Sequence, residues 1–257
     1  MLGIKFPYFK KDRILKIEML ENLRDFPRDI LDIYSDGLSD GIIWGFTPKI
    51  DKEIITFSKG ITKYNGKVYL MPEEVPLSYE ESEVEVVIKI RFHEELNDDD
   101  FKNQLMEIRI DDDTAIYDNE QELGRFKLKK GAYLRSNYQD LYDFTTEYNT
   151  INIVNVKMAG SQHYTMPQEL LKFFARGILE TKTENPIDLQ FAFLCINSEK
   201  IERESLYNYL SYKEKAEIKP LTNAEIHEKL VKILNEIKRT NKGFSRTFSD
   251  RPKIIVD

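Results

Sequence analysis

The 257-residue chain reads as an α+β protein, a β-sandwich-like front followed by a helical bundle. Three observations predict this. Between Ser39 and Val156 short apolar runs of strand type alternate with turn signals, and after Gly160 the apolar residues recur at three- and four-residue steps. Hydrophobic residues make up 41% of the chain and charged residues 32%, enough to build a substantial core under a well solvated surface. No internal repeat or low-complexity segment is apparent.

The front opens with a helix over about 15–34, broken or bent near Pro27. Ile17, Leu20, Leu23, Phe26, Ile30, Leu31 and Ile33 place one apolar stripe on it, and such a stripe is expected to be buried. Strands are then expected over 41–46, 53–57 and 67–70. Links at 48–52, 58–60 and the tight-turn pair Asn65-Gly66 separate them, and together they predict a meander. A longer strand follows over 83–92, with further strands over 105–110, 114–117, 125–128 and 151–156.

The back opens at Thr165-Met166-Pro167-Gln168, which fits a capping box with proline in the first turn, and Leu170, Leu171, Phe174, Ile178 and Leu179 form the inward face. Helices over about 186–197 and 201–212 come next. Thr222-Asn223-Ala224-Glu225 is a second capping box, leading into the stripe Ile226, Leu230, Ile233, Leu234 and Ile237 and ending among Lys238, Arg239 and Lys242. That stripe suits a bundle within one chain or a seam between chains, and periodicity does not separate the two. The expected divisions are a β-rich domain over 1–157, a helical bundle over 158–242 and an extended arm over 243–257.

Residues that could carry chemistry are sparse. His93, His163 and His227 are far apart, without the close spacing of a zinc site. His227 is expected to be exposed among charged neighbours, and His163 to be a turn residue at the junction between front and back. The single cysteine, Cys195, lies in an apolar run and reads as a buried, inert thiol. The runs Asp98-Asp99-Asp100 and Asp111-Asp112-Asp113 miss the spaced pattern of a calcium loop and read as turn residues. No phosphate-binding glycine loop occurs. No cofactor is expected.

The net charge of −7 argues against general nucleic-acid binding, although charge is unevenly placed. Residues 73–122 hold 18 acidic and 4 basic side chains, whereas 219–253 hold 9 basic and 4 acidic. The start of the chain lacks a signal-peptide core, and no run of about 18 apolar residues could span a bilayer, so synthesis in the cytoplasm and no membrane contact are expected. Trp44, in an apolar strand, is expected in the core. Phe6, Pro7, Tyr8 and Phe9 precede the first helix amid Lys5, Lys10 and Lys11, and anchors of that kind dock either back onto the fold or onto a partner.

The order of an N-terminal amphipathic segment, Ser39-Asp40-Gly41-Ile42-Ile43-Trp44-Gly45-Phe46, the pair Ile54 to Ser58 and Gly60, and Lys63-Tyr64-Asn65-Gly66-Lys67-Val68-Tyr69-Leu70 resembles the shoulder region of phage receptor-binding and tail-fibre-attachment proteins. It also resembles that of the type VI secretion baseplate protein TssK. The resemblance covers residues 1–130 and, more loosely, the helical half. It implies a trimeric baseplate component of a contractile phage tail, tailocin or injection machine. Its shoulder domain would dock onto the baseplate wedge through Phe6 to Phe9 and the first helix, and its other end would hold a tail fibre or a fibre chaperone-like neighbour. Such a protein would be cytoplasmic at synthesis and then part of a released particle. Those families carry a further C-terminal head that has no counterpart here, which favours an adaptor over a receptor binder.

The leading expectation is therefore a non-enzymatic structural protein that binds neither nucleic acid nor membrane and forms a homo-oligomer. Two rivals stand beside it: a small hydrolase with a cleft near His163, and a nucleic-acid-binding module using the basic segment from Lys229 to Arg251.

Overall fold

A computed structural model describes residues 4–145 and 149–247. Among these residues are eleven strands and five α-helices, with helix α1 (Ile17–Asp36) in front, strands β1 to β11 between 41 and 128, and α2 to α5 from 168 onward. The protein is α+β, with its helices mostly C-terminal.

The front is built from β1 (Gly41–Gly45), β2 (Pro48–Asp51), β3 (Ile54–Phe57), β4 (Gly60–Tyr64), β5 (Lys67–Met71) and β6 (Val75–Ser78). The expected meander is interrupted. β1 pairs with β4 and β4 with β5, whereas the hairpin β2–β3 between them belongs to a second sheet that β6 completes. Gly45 opposes Gly60 at the point where the chain leaves one sheet and returns. Gly45 has φ +78°, and a Cβ on it would lie 2.0 Å from the Lys59 carbonyl oxygen. A Cβ on Gly60 would lie 2.3 Å from the Phe46 ring, so both crossing points need glycine. Pro48-Lys49-Ile50-Asp51, read as a link, is a strand instead: proline is tolerated at the first position of an edge strand.

A third sheet is centred on β7 (Ser82–Phe92), flanked by β10 (Met106–Asp111) and β11 (Glu120–Leu128), with the small pair β8 (Leu96–Asn97) and β9 (Lys102–Asn103) alongside. Val86 to Ile90 of β7 are all buried, so this strand is covered on both faces. Residues 114–117 are loop, not strand. Residues 151–156 form no strand either; Asn152 alone bridges Arg125 of β11, and Ile151 and Val154 are buried beside it.

The helices are α2 (Gln168–Glu180), α3 (Pro186–Asn197), α4 (Arg203–Glu214) and α5 (Asn223–Thr247). α2 packs on α3 and α5, and α4 packs on α5. α3 begins as its sequence dictates, with the Asn185 side chain accepting from the backbone N–H of Ile187 and Asp188 ahead of Pro186. α5 begins with the expected capping box: the Thr222 N–H donates to the Glu225 carboxylate and the Glu225 N–H to the Thr222 hydroxyl. The box expected at α2 does not form, because Thr165 is held extended against Met158 and its hydroxyl donates to the Ile201 carbonyl. α5 passes the expected end at 242 and is helical to Thr247, and the rest of the expected arm, 248–257, lies outside the described residues. One contiguous apolar core runs through sheets and helices alike, from Ile42 to Ile237.

Candidate functional site

The largest uncovered feature is α1. Its C-terminal end is fixed by Lys63, a buried lysine on β4 whose ammonium donates to the carbonyls of Ser35 and Leu38 at 2.8 Å each and of Asp36 at 3.4 Å. Ser35 and Asp36 close the helix, the Ser35 oxygen also accepting from the Leu38 N–H, and a cation is favoured at this end by the helix dipole. Away from that anchor the helix is bare. Ile17 is 75% exposed and Ile33 78%, and Leu20, Leu23, Ile30 and Tyr34 are exposed as well. The expectation of a buried stripe is thus corrected: Phe26 and Leu31 are half-buried, and most of the face has no cover among the described residues. Each such side chain left in water forgoes about 1.5–3 kcal/mol of burial free energy. Pro27 does not break the helix.

The expected anchors before α1 are exposed too. Phe6 is 65% exposed and meets Phe26 edge-on at a centroid distance of 5.2 Å; Tyr8 and Phe9 are exposed and Pro7 half-buried. Of the 26 large hydrophobic side chains exposed among the described residues, 12 lie in residues 4–34, so the apolar surface is concentrated rather than scattered.

Trp44 corrects a further expectation. A bulge between Ile42 and Trp44 shifts the register, so Ile42 enters the core and Trp44 stands 64% exposed on the outer face of the sheet, while Phe46, past the end of β1 where Gly45 and Phe46 take positive φ, turns into the core. There it shares a cross-strand row with Ile61 of β4 and the exposed Leu70 of β5. β5 also packs against α1. A second bare face lies on α3, where Phe193, Leu194 and Ile196 are exposed. The sole charged residue of α3, Asp188, is buried and accepts from Tyr209 and Lys213, so nothing charged stands on the outer face. Sequence reading passed over the α3 face; the near absence of charge from 186 to 197 was its available signal.

The stripe Ile226, Leu230, Ile233, Leu234 and Ile237 is buried in the chain's own core, with Leu234 lying where a Cβ on Gly177 of α2 would stand. His227, expected outside, is buried, its Nε2 lying 3.1 Å from the Leu141 carbonyl oxygen. Burial lowers its pKa, an effect the contact with that carbonyl partly offsets. Cys195 is buried as expected, and burial pushes its thiol up to about 12, where it is no nucleophile.

His163 stands exposed on a turn. The nearby Ser161 hydroxyl donates directly to Glu202 at 3.2 Å, and the Ser161 N–H donates to the same carboxylate. In a hydrolytic arrangement the imidazole would lie between hydroxyl and carboxylate; here the two meet without it. His93 pairs loosely with Glu107 at 3.6 Å. The aspartate runs behave as turns: Asp98 accepts from the N–H groups of Asp100 and Phe101, Asp111 from that of Asp113, and Asp113 from that of Ala115. Among the described residues no group of three or more His, Cys, Asp or Glu side chains could hold a metal ion, and no helix is long and apolar enough to cross a membrane.

Buried charge does occur, in a lattice on one face of the third sheet. The Lys89 ammonium donates to the Ala115 carbonyl at 2.6 Å and lies 3.3 Å from Glu120, which Arg91 holds at 2.6 Å. Burial acts to raise the Glu120 pKa, but the hydrogen bonds from Arg91, Tyr117 and Lys89 hold it below the ordinary range. This lattice fastens the 111–119 loop onto β7. A cleft of about 500 Å³ is lined by Glu53, Tyr79, Glu80, Glu81 and Tyr133, and one of about 380 Å³ by Asp40, Tyr64, Asp118, Lys157 and Tyr164. Neither includes His163.

No protein-family model and no curated protein sequence matches the chain. Among solved structures it is similar to a crystal structure of TssK, at 8% identity and a TM-score of 0.43 over 92% of this chain and 72% of that one. It is similar also to a chain of the type VI secretion system TssK-TssF-TssG baseplate subcomplex solved by cryo-electron microscopy, at 9% identity and TM-score 0.39 over 93% and 100%. A third likeness is to the baseplate complex from the type VI secretion system, at 11% identity and TM-score 0.28 over 95% and 57%.

Proposed function

We propose that the chain is a non-enzymatic structural component of a protein assembly, and that this assembly is the baseplate or fibre-attachment region of a contractile phage tail, tailocin or related injection machine. The observation that carries the reading is the bare apolar surface of residues 4–34. Twelve large hydrophobic side chains there stand in water on a chain that otherwise has a well formed core. A surface of that concentration is the mark of an interaction site. The choice of assembly follows the motif resemblance of residues 39–70 to tail and baseplate shoulder regions.

In this role the chain forms a homotrimer. Phe6, Pro7, Tyr8 and Phe9 serve partner docking, the shoulder meets the baseplate wedge, and the helical back links to a tail fibre or a fibre chaperone-like neighbour. No cofactor, membrane or nucleic acid takes part. Affinity capture on the full chain from its source cell, read by mass spectrometry, is expected to enrich sheath, tube and wedge proteins together. Absence of all three, with a native mass of a monomer at micromolar concentration, overturns the reading.

A further inference from the structure

We propose that residues 4–16 of one copy dock along α1 of a second copy, so that each chain both gives an arm and receives one. The inference rests on the reading of the chain as a self-associating structural component and names the surfaces through which copies meet.

Charge complementarity selects the occupant. Residues 5–16 hold five basic side chains and one acidic, a net +4, while α1 holds six acidic and two basic, a net −4. Within one chain these halves do not satisfy each other. The basic residues of α1 pair locally, Arg24 with Asp25 and Arg28 with Asp32, leaving Glu18, Glu21 and Asp29 in no ion pair with any described residue. On the arm, Lys5, Lys11, Arg13 and Lys16 likewise make none, and Lys10 lies over the ring of Tyr8 on the same arm. The arm touches α1 through the ring of Phe6 on Phe26, which shows that arm aromatics fit this helix. Yet Tyr8 and Phe9 stay exposed, as do Leu20, Leu23 and Ile30.

Reach is sufficient. Thirteen extended residues span up to about 45 Å, longer than the roughly 30 Å of a 20-residue helix. An arm laid along a neighbour's helix would bring unpaired cations over unpaired carboxylates and cover aromatic and aliphatic side chains on both. In a homotrimer the contact runs head-to-tail and closes as a ring of three copies.

The test uses the full chain in native mass spectrometry and sedimentation. Wild type is expected to associate, and more weakly as salt rises from about 50 mM to about 500 mM. An arm variant carrying Lys5→Glu, Lys10→Glu, Lys11→Glu and Arg13→Glu, and a helix variant carrying Glu18→Lys, Glu21→Lys and Asp29→Lys, should each weaken self-association about tenfold or more. An equimolar mixture of the two should recover association in part as mixed species, because each variant's arm matches the other's helix while a ring of three keeps one like-variant contact; docking of each arm on its own helix gives no mixed species. A monomeric wild type at about 100 μM, an arm variant that associates like wild type, or a mixture without mixed species each overturns the proposal. Capture of tail proteins is read separately: a monomeric chain that still captures them overturns arm exchange alone, and arm exchange without such capture overturns the assembly reading alone.

Discussion

Replacing Lys63 by methionine keeps the aliphatic stem and removes only the ammonium, so it isolates the anchor of α1. Two carbonyls, those of Ser35 and Leu38, each lose a charge-assisted hydrogen bond of 2.8 Å, and Asp36 loses a longer one. A hydrogen bond to a charged group contributes about 1.5–3 kcal/mol, which sets a ceiling near 6 kcal/mol for the two short bonds. Two effects reduce that figure. The buried ammonium no longer has to be stripped of water, and Leu38 is only half-buried, so water reaches its carbonyl in the variant. The expected net loss is about 2–3 kcal/mol, which for a chain of this size lowers Tm by roughly 5–10 °C. Hydrogen exchange on a peptide covering 31–38 supplies the local readout, and α1 should lose protection before the sheet does. A Tm within about 1 °C of wild type together with unchanged exchange in that peptide would refute the anchoring role.

Three further outcomes are expected. Asp188→Ala leaves the Tyr209 hydroxyl and the Lys213 ammonium without their shared acceptor between α3 and α4 and should cost about 3 kcal/mol by chemical denaturation; adding Lys213→Met should recover part of that loss, and strict additivity would count against the pairing. His227 binds a proton less readily in the folded chain than in the unfolded one, whose imidazole titrates near 6.5. The unfolded state therefore takes up more protons as pH falls below about 6.5, and stability present above that value is lost on the way down; a His227→Gln variant should show a flatter stability profile between about pH 7 and pH 5, and an unchanged profile would exclude His227 as the cause. Trp44 is the only tryptophan and stands in solvent, so its emission should move to shorter wavelength if its sheet face is covered on assembly and should stay constant if that face remains free.

The sequence was most legible where local chemistry decides the outcome. Asn185-Pro186 and Thr222 to Glu225 start helices because side-chain oxygen meets backbone N–H within three residues. Thr165 misled because the same hydroxyl had a tertiary alternative, the Ile201 carbonyl, and an extended backbone held against Met158. His227 was readable and was missed: it lies three residues before Leu230 and seven before Leu234, on the buried side of the helix, whereas Glu225, Glu228 and Lys229 turn elsewhere. Trp44 could not have been placed from alternation alone, since one bulged residue puts it on the face opposite to Ile42 two positions earlier. The stripe on α1 was recognised, but periodicity states only that an apolar face exists and not whether its own chain covers it.

The glycine pair at 45 and 60 bears on descent. A distant relative can exchange nearly every side chain of the front and keep its topology, yet at these two places even a methyl group collides with backbone or with the Phe46 ring. The hairpin between them ends in an exposed turn at Asp51-Lys52-Glu53 that can lengthen or shorten, so the spacing is elastic while the two glycines are not. Kinship is therefore better sought as two fixed glycines flanking a variable hairpin than as overall identity.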